Sequence, residues 1–431
     1  MANLIGEKIK TLRKELKLTQ SELAGNEMTK SMLSQIENNQ ASPSMKNLQY
    51  LAYRLNRPIS YFLDEDNAAA LPVDEINSAI RKAISLFNKF DFSGAAKLLE
   101  SLLDKYTFHK NNMFYGEILY LKGKCLVHLK NFAEGENALQ ESFELFMSNH
   151  LYIEAAKAYL EFGERYFANF DYEKCLEILT KVEDIYHCST KKDIIFEIDL
   201  IFSKIILHSA MGNISESLNL IHKAINIAKE TEIYYKTDNS YRLAAKLYLY
   251  EGKYDDFQRY IEKATLFAKF TEDKEALAMI ALQKATYDNE MNNAESALNH
   301  LKFHEENVHT LTYIYYSEKG KSYYLLKEYE KALEIFQMVD YSFYANHRLN
   351  YLELWSSKIY EGLTLHKLGK SSEALEIINF GIKKLEIFKY SKYLALAYKS
   401  LSEIYSDMGN YLEAFKALKI ADGIKNGLNK D

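Results

Sequence analysis

Apolar and polar positions alternate along this chain of 431 residues with the period of an α-helix. All three prolines, Pro43, Pro58 and Pro72, lie within the first 72 residues. Proline removes a backbone donor and breaks helix interiors. The pattern therefore predicts an all-α protein, with short helices and turns at its start and long successive helices after them.

The first 63 residues predict a bundle of short helices, which we call the head. Apolar residues recur at helical spacing from residue 4 to residue 14, and the capping box Thr19 to Glu22 starts a second helix. Thr29 is expected to cap a third helix that ends at Asn38. The tripeptide Ser42-Pro43-Ser44 precedes a fourth helix, and residues 59–63 close the bundle.

The head resembles the Xre-type helix-turn-helix of phage-repressor-like regulators. The resemblance rests on the runs LTQSELA, MTKSMLSQIENNQASPS, LQYLAYRL and ISYFL, which match in register. It implies that the third helix is a recognition helix that reads base edges in the major groove of double-stranded DNA. The residues implied to contact DNA are Gln20 on a phosphate, Thr29, Lys30, Ser31, Ser34 and Gln35 on the recognition helix, and Asn38 and Asn39 on the backbone beyond it.

Charge is divided unequally between the head and the rest of the chain. The net charge is −6, whereas the head has nine Lys and Arg against five Glu, which leaves −10 elsewhere. This favours nucleic-acid contact at the head alone. Lys30 is the single cation of the recognition helix, so one head should bind weakly and the protein is expected to act as a homodimer or higher homo-oligomer.

Residues 64–73 are acidic, then small, and end near a proline, which predicts a linker between the head and a body of residues 74–431. The body repeats itself nine times. Each unit has a polar turn residue. The residue four positions after it and the residue eight positions before it are small in most units. The turn residues are Asp91, Asn131, Asp171, Asn213, Lys253, Asn293, Glu328, Lys370 and Asn410, spaced 35 to 42 residues apart.

This repeat is similar to the tetratricopeptide repeat, with longer connections between helices. Small residues at two fixed positions let paired helices cross closely, and each pair must stack on its neighbours to bury its apolar face. We therefore expect a small helix-turn-helix bundle followed by a right-handed α-solenoid of tetratricopeptide-like helix pairs.

No catalytic or metal-binding constellation is predicted, and no cofactor is expected. Two Gly-Lys-Ser tripeptides, at Gly320 and Gly369, lack the earlier glycine of a phosphate-binding loop. His300, His304 and His309 do not share a helix face. The three cysteines have no metal or disulfide spacing. The first residues are charged where a secretory signal is apolar, so we expect a cytoplasmic protein that is neither an enzyme nor a membrane protein.

The head and the repeats together resemble the RRNPP family of quorum-sensing regulators. The resemblance implies a transcription regulator whose repeats bind a short signalling peptide in a groove lined by the first helix of each pair. The small anchor of each repeat sets a register for that groove. The side chains expected to bind peptide are Tyr120, Lys124, Lys157, Glu164, Asn239, Arg242, Lys246, Asn289, Ser317 and Lys321, of which Arg242 and Lys246 lie four residues apart and could clamp a carboxylate.

Two other interpretations of the body remain open. It could bind a protein partner, such as a response regulator or a sporulation phosphotransferase, as an adaptor. Alternatively, it could serve only to dimerise a repressor that has no ligand.

Overall fold

We analysed a computed structural model, which describes residues 5–428 apart from residues 17, 26, 56, 58, 60, 61, 63–70, 110 and 343–345. The described residues are α-helical with turns between them and contain no β-strand, as the sequence predicted. The head contributes α1 (Ile5–Glu15), α2 (Gln20–Ala24), α3 (Lys30–Glu37) and α4 (Met45–Arg54). Most of the segment predicted to close the head, and most of the predicted linker, lie outside the described residues.

From Val73 onward the helices form successive antiparallel pairs. The first five pairs are built from α5 (Val73–Asn88), α6 (Phe92–Lys105), α7 (Met113–His128), α8 (Phe132–Ser148), α9 (Tyr152–Leu160) with α10 (Gly163–Ala168), α11 (Tyr172–His187), α12 (Ile194–Met211), α13 (Ile214–Thr231), α14 (Thr237–Tyr250) and α15 (Tyr254–Phe270). The remaining pairs are built from α16 (Lys274–Glu290), α17 (Ala294–Asn307), α18 (Tyr313–Leu325), α19 (Tyr329–Gln337), α20 (Arg348–Lys367), α21 (Ser371–Leu385), α22 (Lys392–Asp407) and α23 (Tyr411–Leu428).

Each predicted turn residue lies immediately before the second helix of a pair. Its backbone N–H donates to the carbonyl five residues earlier, as in the bond from Asn131 to Leu126 (2.9 Å) and from Asn410 to Tyr405 (2.8 Å). The residue before it has a positive φ in all nine turns, with glycine in four of them and non-glycine residues such as Phe90 (φ 62°) in the others. One left-handed residue thus ends the first helix in a Schellman-type cap and lets the chain start the second at once.

The small anchors lie where paired helices come closest. A Cβ on Gly362 would lie 2.4 Å from a side-chain carbon of Ile378 and 3.0 Å from the carbonyl oxygen of Ala374. A Cβ on Gly123 would meet Leu139 at 2.8 Å. No side chain fits at these crossings, which is the physical reason for the small residues in the repeat.

The chain divides by its internal contacts into two compact units, Met1–Leu200 and Ile201–Asp431. The first unit holds the head and the first helix pairs. The second holds the later pairs, whose buried core includes Ile205, Phe257, Ile261 and Ile359. No described helix has the length and apolar character needed to cross a lipid bilayer.

Candidate functional site

The third helix of the head presents polar side chains on the face opposite its core. Thr29 caps it, because its hydroxyl oxygen accepts the N–H of Met32 (3.1 Å). Leu33 and Ile36 are buried, and they fix the helix against the rest of the head. Lys30 and Ser31 are exposed at the first turn, and Ser34 and Gln35 are half-buried on the next. The helix therefore offers a short polar surface at its amino-terminal end.

A buried ion pair holds the recognition helix to α1. Arg13 donates through Nε to one carboxylate oxygen of Glu37 (2.5 Å) and through Nη2 to the other (2.8 Å). The amide of Gln20 donates to the same carboxylate (2.8 Å). Burial alone would raise the pKa of Glu37, but these hydrogen bonds outweigh it and hold the pKa below its ordinary value. The predicted phosphate contact of Gln20 thus competes with an internal bond to Glu37.

The two asparagines after the recognition helix also make contacts within the head. Asn38 Oδ1 accepts the ammonium of Lys10 (3.0 Å), and Asn39 Oδ1 accepts the N–H of Gly6 (3.1 Å). Asn39 has a φ of 56°, a conformation that asparagine tolerates better than most residues. Both side chains position the turn after α3.

Gln35 is the recognition-helix residue that contacts the repeats of the first unit. Its Oε1 accepts the hydroxyl of Thr190 at 3.4 Å. Thr190 lies in the turn before α12 and is exposed. The contact is long and exposed, so its free energy is small.

The second unit contains a cavity of about 340 Å³ lined by the first helices of successive pairs. Its apolar wall comes from α12, α14, α16, α18 and the start of α20, and consists of Phe202, Ile206, Leu243, Leu249, Met279, Leu282, Ile314 and Leu349. Its polar groups include Asn239, Arg242, Lys246, Gln283, Thr286, Glu290, His347, Asn350, Glu353 and Lys392. An apolar pocket with a few convergent polar groups is typical of a ligand site.

The structure brings the predicted trio Asn239, Arg242 and Lys246 together in this cavity. Arg242 donates to Asn239 Oδ1 (2.5 Å), and Lys246 donates to Asn350 (3.0 Å) and to the carboxylate of Glu353 (2.9 Å). Lys246 therefore has a carboxylate partner already. Arg242 forms no ion pair with any described carboxylate, and its buried Nε has no hydrogen-bond partner among the described residues.

Among the charged residues that line the cavity, Arg242 is the cation for which no ion pair is found within the described part of the chain. Lys246 pairs with Glu353, and Lys392 pairs with Glu290 (2.9 Å). His347 is neutral at physiological pH, because burial, reinforced by the charge of Lys246, lowers its pKa to about 3. Burial also lowers the pKa of Arg242, against the charges of Asp238 and Asp273, which act in the opposite direction. Arg242 remains charged, since a guanidinium does not lose its proton in proteins. The residues that line the cavity therefore have a net formal charge of +1, which Asp238 and Asp273 outside the lining compensate in part.

The other predicted residues of the second unit lie between α16 and α18, outside the lining of the cavity. Asn289 donates to both the backbone and the carboxylate of Glu318 (2.9 Å each) and accepts the hydroxyl of Ser322. Lys321 donates to Glu318 (2.7 Å), whose charge raises the pKa of Lys321 although burial alone would lower it. Ser317 is buried, and its hydroxyl has no partner among the described residues.

The predicted residues of the first unit form a more acidic group. Lys124 pairs with Glu161 (2.7 Å), and Tyr120 donates to the same carboxylate (3.5 Å). Burial, and secondarily the neighbouring charge of Glu161, raises the pKa of Glu164 to about 7. Lys157 pairs with Asp193 (3.2 Å). Unlike the cavity of the second unit, this group has carboxylates in excess of cations.

Three potential metal ligands meet beside Lys124. The ligand atoms of His128, Glu161 and Glu164 lie within 4.8 Å of one another. The ammonium of Lys124 already provides Glu161 with a positive partner, and we assign no metal to the group. The histidines considered from the sequence are separated, since His304 is buried against the carbonyl of Ala278 (2.8 Å) and His300 faces Asp288 (3.6 Å).

Comparison with known proteins decides the nature of the head. Residues 9–62 match a family model described as helix-turn-helix. The head is an Xre-type helix-turn-helix domain. Within this domain, the buried pair of Arg13 and Glu37 and the cap at Thr29 set the position of the recognition helix.

The chain also resembles solved structures across most of its length, at low sequence identity. A Rap protein complexed with Competence and Sporulation Factor is 15% identical, with a TM-score of 0.55 over 83% of this chain and 99% of that one. Aspartyl phosphate phosphatase F from Bacillus subtilis is 16% identical, with a TM-score of 0.51 over 84% and 96%. These two likenesses show a shared helical-repeat fold.

PlcR from Bacillus thuringiensis, in complex with the peptide PapR7 and DNA, is 18% identical, with a TM-score of 0.39 over 63% of this chain and 96% of that one. No curated protein matches the chain in sequence. The predicted resemblance to the RRNPP family is confirmed for the helix-turn-helix domain and for the fold of the repeats.

Sequence reasoning missed several groups of the cavity. Gln283 lies two residues before the small anchor Ala285, on the same helix face that holds Arg242 and Lys246 in the preceding pair. The anchor register gives Leu282 and Thr286 in this unit, three residues before Ala285 and one after it, and so does not identify Gln283. Glu353 and Lys392 lie beyond the last repeat to which that register was applied.

Proposed function

We propose that this protein is a transcription regulator whose helix-turn-helix domain binds operator DNA and whose repeats bind a short signalling peptide. Peptide binding changes DNA binding. We propose that residues 1–63 form the DNA-binding domain, that residues 64–73 are a linker and that residues 74–431 form the repeats. A DNA-binding protein of this kind acts in the cytoplasm.

The cavity of the second unit is the observation that supports the proposed peptide binding. It combines an apolar wall with one buried guanidinium, Arg242, that has no carboxylate partner among the described residues. A buried guanidinium that forms no ion pair costs free energy, part of which a ligand carboxylate would recover. Peptides supply both features, since they carry carboxylates and apolar side chains on one flexible chain.

The DNA half rests on the polar surface of α3. Lys30, Ser31 and Ser34 lie at the amino-terminal end of the recognition helix, where helix-turn-helix proteins contact base edges. One lysine gives little phosphate affinity, so we propose that two heads of a homodimer bind two half-sites. Any ligand that alters the distance between the heads then alters affinity.

The test of the DNA half starts from a pool of random double-stranded DNA, from which the full-length protein selects its binding sites. Lys30→Ala should weaken binding to the selected site by about 1–3 kcal/mol if Lys30 contacts a base. The matched control is Lys97→Ala on α6, an exposed lysine of the repeats, which should leave affinity unchanged. Equal effects of the two substitutions would contradict the assigned role of α3.

The peptide half calls for a direct search for the ligand. Native mass spectrometry of the full-length protein from its own cells should reveal a bound peptide, and its synthetic form should shift DNA affinity. Calorimetry with Arg242→Ala should then show weaker peptide binding while the protein stays folded. If the peptide binds this variant as tightly as the unaltered protein, the assignment of Arg242 is wrong.

The same search separates the alternatives. A co-purifying protein in place of a peptide would favour the adaptor interpretation. DNA binding that no bound molecule changes would favour a repressor that uses the repeats only to dimerise.

A further inference from the structure

Two side chains that line the cavity of the second unit have unmet hydrogen-bonding capacity. Arg242 on α14 makes one hydrogen bond, to Asn239, and its Nε is buried without a partner among the described residues. Gln283 on α16 has a buried Oε1 without a partner in the same part of the chain. Buried polar groups are nearly always satisfied in proteins, so two in one cavity point to a missing molecule.

The two groups differ in the chemistry that they require. Arg242 offers several N–H donors in a plane and a positive charge, which matches a carboxylate. Gln283 offers both an acceptor and a donor, which matches an amide, since an amide also presents one of each. A ligand that satisfies both groups carries a carboxylate and an amide close together.

The remainder of the cavity limits the choice further. Lys246 and Lys392 pair with their own glutamates, and Asp238 and Asp273 already act on Arg242, so the site accommodates at most one negative charge rather than the two of a phosphate monoester. The wall around Arg242 and Gln283 is apolar, with Leu243 and Leu282 next to them in sequence. Its volume of about 340 Å³ lies near the lower limit for ligand pockets and suits the end of a peptide rather than its whole length.

We propose that the cavity binds the carboxyl terminus of the peptide ligand. Arg242 binds the terminal α-carboxylate, Gln283 binds the last peptide amide, and an apolar terminal side chain packs against the wall. This inference rests on the proposed function, because it takes the ligand to be a peptide. It adds that the site recognises a free chain end, with Gln283 as a specificity-determining residue.

The experiment compares two synthetic libraries of random hexapeptides, one with free carboxyl termini and one with carboxamide termini. Full-length protein is mixed with each library, and retained peptides are identified by mass spectrometry after gel filtration. The unaltered protein should retain peptides from the acid library that end in apolar residues. The carboxamide form of each such peptide should bind on the order of tenfold to a hundredfold more weakly, because it loses a charge-assisted bond.

Two variants test the roles of the side chains. Arg242→Gln should abolish the preference for acids over amides. Gln283→Glu places a carboxylate in the same cavity as Arg242, and it should reduce the binding of acids more than that of amides. Gln258→Leu, an exposed glutamine on α15, is the matched control and should change neither. A merely structural role for Gln283 would lower the binding of both libraries equally.

The outcomes distinguish recognition of the peptide's carboxyl terminus from peptide binding itself. Retention of acid and amide peptides with equal affinity would overturn the inference about the chain end while leaving the peptide receptor intact. Retention of no peptide from either library would contradict the proposed peptide binding, and this inference with it. A preference for acids that survives in Arg242→Gln would show that another group reads the terminus.

Discussion

Two partly buried arginines mark the difference between the helix-turn-helix domain and the cavity of the second unit. Arg13 holds a carboxylate with two hydrogen bonds, and its partner Glu37 is fully buried. Arg242 is buried as well, yet its one bond is to the neutral amide of Asn239. Each lies where a helix meets its neighbours, but of the two only Arg13 forms an ion pair among the described residues, while Asp238 and Asp273 act on Arg242 from a greater distance.

This difference separates a structural charge from one that serves binding. A buried ion pair with all its hydrogen bonds made fixes one arrangement of helices. A buried cation that forms no ion pair destabilises the ligand-free state, and a ligand that supplies a carboxylate recovers part of that free energy. We therefore expect substitution of the two arginines to have opposite consequences for stability.

The largest effect is expected in the head. Arg13→Met leaves the carboxylate of Glu37 buried with Gln20 as its remaining donor, and breaking a buried pair in this way costs about 3–5 kcal/mol. Amide hydrogen exchange of the full-length protein should show that α1 and α3 open more readily by about that free energy.

The matched control in the head is Lys10→Met, which removes one exposed hydrogen bond to Asn38. Its cost should stay below about 1 kcal/mol. If the two substitutions accelerate exchange equally, Arg13 is not the structural charge that the comparison requires.

Two carboxyl groups with opposite pKa shifts, Glu37 in the head and Glu164 in the repeats, make stability depend on pH in opposite ways. Glu37 has a lowered pKa, so its contribution to stability is complete above the ordinary value near 4.5 and is lost as the pH falls through its folded-state value. Glu164, beside Glu161, has a pKa raised to about 7, so its ionisation destabilises the first unit progressively as pH rises from about 4.5 to 7.

Glu164→Gln should therefore stabilise the first unit at pH 8, by up to about 3 kcal/mol, and have little effect at pH 5. Hydrogen exchange in α7 and α10 at the two pH values measures this. An equal gain at both pH values would show that the carboxyl is not strained by its charge in the folded state.

Much of the fold could be predicted because each repeat carries two independent patterns. The spacing of apolar residues predicts its helices, and the polar turn residue marks where the second helix begins. Residues such as Asp91 and Asn131 lie at the predicted position before each second helix. The left-handed residue before them could not be predicted everywhere, because Phe90 and Lys130 take that conformation in place of glycine. The Schellman hydrogen bond and the packing of the adjoining helices stabilise it there.

The candidate site was predictable only in part, for a physical reason. The anchor register gives the face of a helix, and it placed Asn239, Arg242 and Lys246 together. It cannot say which polar side chains find partners on other helices. Lys246 meets Glu353, which is 107 residues away in sequence, and no local pattern reports such a pair.

Removal of the unpaired cation should have a smaller effect, of opposite sign, on stability. Arg242→Met removes a guanidinium that forms no ion pair among the described residues and keeps most of the side-chain volume. Without ligand, we expect the melting temperature to stay unchanged or rise, by a gain of about 1 kcal/mol or less. Differential scanning calorimetry measures this, and Lys246→Met serves as control because it should destabilise by leaving Glu353 unpaired.

A loss of stability in Arg242→Met as large as that in Lys246→Met would mean that Arg242 has a structural partner after all. Arg242 would then be a structural charge, as Arg13 is. The ligand assignment would have to move to another group of the cavity.

The smallest effect concerns the contact that links the recognition helix to the repeats. Thr190→Ala removes the hydroxyl that donates to Gln35 and leaves Gln35 free to face DNA. Because the bond is exposed and 3.4 Å long, we expect affinity for the selected operator to rise by no more than about threefold. Ser189→Ala is a poor control, since its hydroxyl organises the same turn, so Thr180→Ala on α11 serves instead. A much larger rise would mean that the contact restrains the head in the free protein, and that release of the recognition helix is part of regulation.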